Sequence, residues 1–389
     1  MSETLAARTE MNFDLTESQR MVQEMARNFA EKEMKPHVMK YDESQEFPAE
    51  IFKKMSELGL LGIVIPEEYR GAGLGYLDLV MILEELAKVD PSVTLSVAAH
   101  NGLCTNHIYT FGDEGQRRKY VSELASGRKL GAWALTEPSS GSDAGGMRSF
   151  ALRQDDGWIL NGSKVFTTNG SVADLFVVMA LSDKSKGKQG ISAFVLEKGM
   201  KGFSVGKKEN KLGMRASDTS TLVFDNLRIP KENLIGDEHQ GFKQALHVLD
   251  GGRVGIAAMS VGIAQGCLEA SLRYAKERNQ FGKQLVEFEA IQWKLADMAV
   301  DVDAARLLTF KSAFLKQQGK NITLAAAVAK YFASEIAVKA ANEAVQIHGG
   351  YGYIKEFPVE KFYRDVKLMT IGEGTSEVQK MVIARSLLG

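Results

Sequence analysis

The sequence has few cysteines, almost no net charge and no long apolar run. Its two cysteines, Cys104 and Cys267, lie far apart, which argues against a disulfide scaffold and favours a reducing compartment. The 48 basic and 49 acidic side chains leave a formal charge of -1, which argues against nucleic-acid binding through a bulk positive field. No uninterrupted apolar run approaches the roughly 18 residues of a membrane span, so none is predicted.

The N-terminus carries no recognisable targeting signal. Residues Met1–Asn12 contain Glu3, Glu10 and a single arginine without an apolar core, unlike a secretory signal or an Arg-rich transit peptide. We therefore predict a cytoplasmic protein of bacterial type. A mature protein of the mitochondrial matrix would show the same features and is the alternative.

Several common catalytic motifs are also missing. No G-x-G-x-x-G segment follows a predicted strand and opens a helix, so a Rossmann nicotinamide site is not predicted. Gly157–Lys164 has two glycines at P-loop spacing, but Ser-Lys follows in the wrong order inside a predicted hairpin. H-E-x-x-H, C-x-x-C and G-x-S-x-G are absent and the six histidines are scattered, so we predict no metal site and no nucleophile elbow.

The spacing of apolar residues divides the chain into three regions. Helical spacing runs from about residue 15 to 126. Short β-prone runs fill residues 130–233, and turn signals such as Asn161-Gly162 separate them, which indicates a small antiparallel barrel or sandwich. A βαβ sheet is disfavoured because no helical pattern lies between the strands. Long helices with near-heptad apolar spacing return over residues 241–388 and indicate an antiparallel bundle.

These regions predict a mostly α-helical protein with a central β-barrel domain. A chain of 389 residues is long enough for two or three such domains. We predict an N-terminal helical domain over residues 1–129 and a middle β-barrel domain over residues 130–236. A C-terminal four-helix-bundle domain is predicted over residues 237–389.

Four segments rich in Gly, Ser and Thr lie at junctions between predicted elements. Trp133–Gly146 runs from a strand into a loop whose hydroxyl and backbone N–H groups can cradle an anionic or heteroaromatic group, although an ordinary turn has the same composition. Phe166–Gly170 offers an aromatic ring and two hydroxyls at a strand end. Gln346–Tyr353 ends a helix, and its glycines are equally typical of a C-cap.

The fourth segment, Gly372–Ser376, holds a carboxyl group with little cover from its neighbours. Glu373 stands between two glycines, and Thr375 or Ser376 is the predicted N-cap of the next helix. In an apolar site, desolvation would raise the pKa of Glu373 toward the range of a general base. Exposed loop glutamates are common, so this segment alone leaves both interpretations open.

Taken together, these segments resemble the acyl-CoA dehydrogenase family over nearly the whole chain. Ala134–Gly146 is similar to the family's first signature, and Gln346–Asp365 is similar to the second, Q-x-x-G-G-x-G with Glu356, Lys361 and Asp365 at the expected spacing. The resemblance implies a helix–barrel–helix enzyme that binds FAD. The implied reaction removes hydrogen from Cα and Cβ of an acyl-CoA thioester and gives a trans-2-enoyl-CoA.

The resemblance also implies which residues bind FAD. Trp133–Ser142 is similar to the strand and loop that meet the flavin pyrimidine and the pyrophosphate. Phe166–Thr168 is similar to the segment beside the flavin ring, although the family usually has Trp in place of Phe166. The implied cofactor-binding residues are Trp133, Leu135, Thr136, Gly141, Ser142, Phe166, Thr167, Thr168, Arg278, Phe281, Gln346, Gly349, Gly350, Thr375 and Ser376.

Five of these residues imply more than one copy of the chain. Arg278, Phe281 and the segment Gln346–Gly350 resemble residues that reach the FAD of a neighbouring subunit. A homo-oligomer is therefore implied, in this family normally a dimer or a dimer of dimers. Acyl-CoA and an electron-transfer flavoprotein are the other implied partners, with no nucleic acid.

For the substrate, the resemblance implies contacts from Ser142, Asp250, Arg253 and Gly374, with the charge of Arg253 available for CoA phosphates. The thioester carbonyl is implied to accept hydrogen bonds from a backbone N–H and from a ribityl hydroxyl of FAD. The implied catalytic base is Glu373, which takes the α-proton while flavin N5 accepts the β-hydride.

One position narrows the choice of base. Some family members carry the glutamate where this chain has Gly252, so Glu373 is the one candidate left.

Gly372 stands where many members have Tyr, which favours a roomy pocket and a broad or bulky short acyl chain. Pro91–Thr94 lacks the arginine that glutaryl enzymes place there, which argues against a dicarboxylate substrate.

Other functions on this fold stay open as alternatives. An acyl-CoA oxidase or a flavin monooxygenase would use the same architecture, but oxidases tend to carry an extra domain. A non-catalytic flavoprotein that binds DNA or a partner is a further alternative. The presence of Glu373 and Arg253 and the balanced charge argue against it.

Overall fold

The structure, a computed structural model, describes residues 14–389, and the prediction made from Met1–Asn12 lies outside this range. The first part of the chain is helical, as predicted. Its helices are α1 (Glu17–Phe29), α2 (Val38–Ser44), α3 (Ala49–Glu57), α4 (Tyr76–Ala87), α5 (Pro91–Ala98), α6 (Asn106–Phe111), α7 (Glu114–Gln116) and α8 (Ser122–Ala125). Asp90 caps α5 by accepting a hydrogen bond from the backbone N–H of Ser92, and Pro91 occupies the first position of this helix.

The middle of the chain forms one curled sheet of seven strands. They are β1 (Gly131–Ala134), β2 (Phe150–Gln154), β3 (Gly157–Thr168), β4 (Leu175–Leu181), β5 (Ile191–Glu197), β6 (Phe203–Lys208) and β7 (Thr219–Pro230). Their order is β1-β4-β2-β3-β7-β6, and β5 also pairs with β4.

The predicted antiparallel pairing holds for most strand pairs, but β4 runs parallel to both β1 and β2. Parallel neighbours need a long connection, usually a helix. Here the β2–β3 hairpin lies between β1 and β4 in the chain and supplies that length. The other strand pairs are antiparallel.

The turn predicted at Asn161-Gly162 is also wrong. Both residues lie inside the continuous strand β3, where its register against β7 shifts between Leu160 and Gly162. Gly162 has a φ of 138°, and a Cβ there would lie 2.3 Å from Ser149 Oγ. The glycine is therefore required by a bulge and a close approach to Ser149, not by a reversal of the chain.

Strand β4 is buried on both faces and joins two parts of the core. Leu175, Val177 and Met179 pack with residues of the N-terminal helices, and the alternate residues Phe176 and Val178 pack inside the curled sheet. Side chains alternate between the two faces of a strand. A continuous apolar run is therefore what a strand covered on both sides requires.

The last part of the chain is a helical bundle, as predicted. It contains α9 (Gly241–Glu277), the two-residue strands β8 (Asn279–Gln280) and β9 (Lys283–Gln284), α10 (Glu289–Gln317), α11 (Thr323–His348), α12 (Val359–Asp365) and α13 (Ser376–Leu388). Helix α9 packs against α4, α10 and α11 and forms the centre of the bundle. The near-heptad residues Leu295, Met298 and Val302 of α10 are buried, as their spacing predicts.

Within residues 14–389, α9 alone has the length and apolar composition of a membrane-crossing helix, but 89% of its most apolar window is buried inside the protein. The mostly helical fold with a central curled sheet agrees with the predicted class. The boundaries predicted at 129/130 and 236/237 fall in connections between elements, and as domain boundaries they stay predictions.

Candidate active site

Glu373 lies in a tight turn that leads directly into α13. Its φ is 54° and that of Gly374 is 96°, so two consecutive residues occupy the left-handed region. This region is unfavourable for a residue with a side chain, whereas glycine enters it freely. Thr375 ends the turn as the N-cap of α13, because its hydroxyl accepts a hydrogen bond from the backbone N–H of Val378 at 3.3 Å.

Two buried side chains hold this turn from neighbouring helices. Lys330 of α11 donates from Nζ to the carbonyl oxygen of Gly374 at 2.9 Å. Gln379 of α13 donates from Nε2 to the same oxygen at 2.9 Å and to the carbonyl oxygen of Glu373 at 3.3 Å. Neither side chain is exposed to solvent. Their hydrogen bonds therefore fix the backbone of Glu373 from the protein interior.

The carboxyl group of Glu373 points against α9. Its Oε2 atom is buried and has no hydrogen-bond partner among residues 14–389. A Cβ at Gly252 would lie 1.8 Å from this oxygen and 2.9 Å from Leu103 Cδ2, so the carboxyl group occupies the space that Gly252 leaves open. Burial raises the pKa of Glu373 to about 7, although the positive charges of Arg253 and Lys330 act to lower it.

Arg253 places a positive charge beside the carboxyl group of Glu373, and only part of its guanidinium group is hydrogen-bonded. Its Nη1 donates to Asp250 Oδ1 at 2.7 Å, and Asp250 Oδ2 accepts from the hydroxyl of Thr323 at 2.6 Å. The Nε atom of Arg253 is buried without a partner among the described residues. An unsatisfied buried donor next to a buried acid is the arrangement expected where a polar ligand binds.

The loop after β1 is anchored by a buried ion pair. Lys164 Nζ lies 2.8 Å from Glu137 Oε1, and both side chains are buried. Glu137 also accepts from the backbone N–H of Arg148 at 2.6 Å, which ties the loop to its own far end. Gly141 and Ser142, two of the predicted FAD-binding residues, are exposed on this loop.

The segment Phe166–Asn169 lies beside the same loop, because the backbone N–H of Val165 donates to the carbonyl oxygen of Thr136 at 2.9 Å. Phe166 has a φ of 56° and is 65% exposed, and the hydroxyl of Thr167 is buried without a partner among residues 14–389. The fully buried Asn169 donates from Nδ2 to backbone carbonyls of α5 and β1 and fixes the segment. An exposed ring and an orphaned hydroxyl beside a polar loop fit a planar, hydrogen-bonding group such as a flavin.

Leu103 connects these segments to Glu373. It forms a small buried cluster with Ala99 and Val248, against which the side chain of Trp133 packs. The indole N–H of Trp133 donates to His107 at 3.0 Å, which fixes the orientation of the ring. The predicted flavin side and the carboxyl group of Glu373 therefore face the same buried cluster.

The five cofactor residues that the resemblance assigns to the FAD of a neighbouring subunit lie elsewhere. Arg278, Gly349 and Gly350 line an open cleft of about 470 Å³, with Gln346 on the preceding turn of α11 and Phe281 93% exposed nearby. Along the helical rise of roughly 1.5 Å per residue, Gly252 and Arg278 are about 39 Å apart. No side chain spans that distance, so the structure does not bring this group together with Glu373.

Two residues of the site were missed at the level of sequence. No sequence pattern around Gln379 indicated its role, because its hydrogen bonds to Glu373 and Gly374 form only when the turn folds against α13. Lys330 did carry one, since it lies at helical spacing among the buried alanines Ala326, Ala333 and Ala337 of α11. A single lysine on an otherwise apolar helix face indicates a buried charge with a specific role.

The chain is similar to known proteins in sequence and in fold. Residues 16–128, 132–227 and 239–388 match the models of the acyl-CoA dehydrogenase N-terminal, middle and C-terminal domains. A short-chain specific acyl-CoA dehydrogenase of Clostridium acetobutylicum is 48% identical, over 96% of this chain and 99% of that relative.

Two solved structures have nearly the same fold. Butyryl-CoA dehydrogenase from Megasphaera elsdenii matches with a TM-score of 0.96 and 45% identity, over 97% of this chain and all 100% of that one. A chain from a structure described as the electron transferring flavoprotein of Acidaminococcus fermentans matches with a TM-score of 0.96 and 48% identity, at the same coverage.

Proposed function

The chain belongs to the acyl-CoA dehydrogenase family and is an FAD-dependent oxidoreductase, and from this we propose that it converts an acyl-CoA thioester into a trans-2-enoyl-CoA with Glu373 as the base. The observation that supports the base assignment best is the buried, unpaired Oε2 atom of Glu373. A carboxylate without hydrogen-bond partners in a dry site is free to accept a proton from a substrate carbon.

The electrostatic setting of Glu373 suits proton abstraction. A general base works best when its pKa is close to the working pH, and burial raises the pKa of Glu373 to about 7. The charges of Arg253 and Lys330 oppose this rise, so that a large fraction of the group stays ionised near neutral pH.

The α-proton becomes acidic enough only if the thioester carbonyl is polarised by hydrogen bonds. We assign one of these donors to the backbone N–H of Glu373, in the turn that Lys330 and Gln379 hold. Asp250, Arg253, Ser142 and Gly374 are the proposed contacts to the CoA part of the substrate. The unpartnered Nε of Arg253 is available for such a contact.

The residues that would hold FAD are those of the β1 loop and the Phe166–Thr168 segment. The loop offers the exposed residues Gly141 and Ser142 for the pyrophosphate, and Phe166 and Thr167 offer a ring face and an unpaired hydroxyl for the flavin. FAD bound there supplies the acceptor, N5, for the hydride that leaves Cβ. The protein's part is to orient the substrate and exclude water.

We propose that the functional form is a homo-oligomer. The cleft at Arg278 and Gly349-Gly350 is about 39 Å along α9 from Gly252, so these residues serve the FAD of another copy. An electron-transfer flavoprotein is the proposed acceptor of the electrons, which the similarity to the Acidaminococcus fermentans chain supports. A cytoplasmic location is also proposed, in line with the bacterial relatives.

The proposed substrate is a short acyl-CoA with some bulk near the reacting carbons. The relatives named short-chain specific and butyryl-CoA dehydrogenase support the short chain. A Cβ added at Gly372 would only reach Leu368 O at 3.5 Å, an ordinary contact, so the glycine leaves space that a side chain could fill. Rates over straight, branched and cyclic acyl-CoAs test this, and a strict preference for butyryl-CoA would contradict the roomy pocket.

The base assignment is tested by Glu373→Gln. This change keeps the size of the side chain but removes its basicity, so we expect kcat to fall by about a thousand-fold. FAD absorbance and the affinity for a non-reactive acyl-CoA analogue should stay unchanged. Glu57→Gln, at an exposed glutamate of α3 outside both signatures, is the matched control.

Near-normal turnover of Glu373→Gln would refute the assignment. The same assay separates the alternative oxidase activity, which would consume oxygen in step with substrate. The dehydrogenase should reduce an electron-transfer flavoprotein or a dye under anaerobic conditions instead.

A further inference from the structure

Lys330 is a buried ammonium group without a proposed contact to the substrate or FAD. It lies on the apolar face of α11 with no exposed side-chain surface. Burying such a charge is unfavourable unless specific partners compensate for the lost water. Its Nζ donates to the carbonyl oxygen of Gly374, the residue directly after Glu373, and not to a carboxylate oxygen.

The turn that receives this hydrogen bond needs support. Glu373 and Gly374 both have positive φ angles. Such an angle is unfavourable for Glu373, because it carries a side chain. The carbonyl oxygen of Gly374 accepts from Lys330 and from Gln379, each at 2.9 Å. The ammonium group thus anchors the backbone at the point where the carboxyl group is presented to α9.

Lys330 also carries one of the two positive charges that face Glu373. The other is Arg253 on α9, whose charge is already paired with Asp250 at 2.7 Å. Lys330 comes from α11, and its strongest charge interaction is with Glu373, ahead of those with Arg253, Glu335 and Glu377. Both positive charges therefore favour the ionised form of Glu373, with Arg253 the stronger of the two.

We propose that Lys330 is a positioning residue that holds the Glu373 turn in place and keeps the carboxylate of Glu373 ionised. The proposal rests on the proposed role of Glu373 as the base. It assigns two separable effects to one side chain, a hydrogen bond that fixes geometry and a charge that sets protonation.

Two variants separate these effects. Lys330→Gln removes the charge but keeps an N–H donor for Gly374, and Lys330→Met removes both. Loss of a positive charge raises the pKa of a nearby carboxyl group, so in both variants the acidic limb of the kcat/KM profile should move up by about one pH unit. Lys330→Met should also lose roughly tenfold or more in kcat at high pH, because its turn is no longer held.

A second readout does not depend on turnover. The infrared band of the protonated Glu373 carboxyl group, identified by subtracting the Glu373→Gln spectrum, should persist to a pH about one unit higher in both variants. Lys339→Met is the control, since Lys339 lies on the same helix but is exposed and pairs with Asp301. It should leave both readouts unchanged.

The proposal is overturned if both variants keep the wild-type pH limb and carboxyl band. Should Lys330→Met fail to fold, as judged by circular dichroism and FAD content, Lys330→Gln alone decides the charge effect. Failure of the base assignment looks different, because Glu373→Gln would then keep its turnover whatever the Lys330 variants do.

Discussion

At the scale of single residues, the position of the Glu373 carboxyl group depends on the absence of a side chain at Gly252. A Cβ at position 252 would come within 1.8 Å of Glu373 Oε2, which is closer than any real contact. A glutamate at position 252 would fill the same space from the side of α9. Only one of the two residues can hold the carboxylate at this point.

Gly252→Ala is therefore expected to push the Glu373 carboxyl group out of place and to lower kcat/KM by about a hundred-fold. Gly255→Ala is a matched control on the same helix, because its Cβ would meet only Leu83 Cδ1 at 3.6 Å. The control should keep its activity and gain a few tenths to about 1 kcal/mol of stability from better helix propensity. Equal kcat/KM values for the two variants would contradict this view of Gly252.

The sequence alone indicated Glu373 but not its supports. Its flanking glycines marked it as a side chain without local cover, and the family resemblance on two signatures, which the comparisons confirm, gave it a role. Lys330 and Gln379 act through contacts between α11, α13 and the turn. Such contacts depend on packing between distant segments, so the helical spacing of Lys330 indicates that it is buried but not which group it contacts.

At the scale of elements, the curled sheet carries the loop that we assign to FAD, and the Glu137–Lys164 pair fixes that loop. Burial lowers the pKa of Lys164 to about 8, while Glu137 acts to raise it. Lys164 lies beyond the bulge of β3 and is fully buried, and this burial was not predicted because the sequence indicated a hairpin there. Its partner could not be predicted, because Glu137 lies outside the strand.

Lys164→Met leaves the buried carboxylate of Glu137 without its counter-charge. We expect a loss of about 3 kcal/mol in the free energy of unfolding, together with weaker FAD binding. The double variant Lys164→Met/Glu137→Gln removes both charges and should recover part of the loss. Denaturant unfolding and FAD titration measure these effects, and a double variant no better than the single one would contradict the ion-pair explanation.

The sheet also shows features that local sequence patterns do not predict. Asn-Gly is typical of a turn, but at positions 161–162 the nearby Ser149 and the partner strand β7 make it a bulge. Parallel pairing of β1 with β4 likewise depends on where a distant strand docks. Helix positions were predicted more completely, because an apolar stripe is a property of the helix itself.

At the scale of the whole molecule, α10 carries an exposed apolar stripe. Trp293, Val300, Leu307 and Phe314 are spaced seven residues apart, which places them on one face of the helix, and they are between 47% and 68% exposed. Large exposed apolar patches are typical of protein interfaces. This face is the one that we expect to contact a second copy in the proposed homo-oligomer.

Val300→Glu/Leu307→Glu places two charges on this stripe and is expected to shift the protein to a smaller assembly. Light scattering after size-exclusion chromatography gives the mass, and FAD content should fall with it if a second copy completes the cofactor site. Met21→Glu is the control, because Met21 is a 66% exposed apolar residue on α1, outside the stripe. An unchanged mass for the double variant would show that the assembly uses another surface.

Helix α9 is a continuous rod of 37 residues whose early turns meet the carboxyl group of Glu373 and whose last turn leads to the cleft at Arg278. If that cleft binds the flavin nucleotide of a neighbouring subunit, each chain carries its own catalytic residue at one end of α9 and binds its neighbour's cofactor at the other. Reconstitution of the apoprotein should then be cooperative, because FAD bound to one subunit would also contact residues of the next.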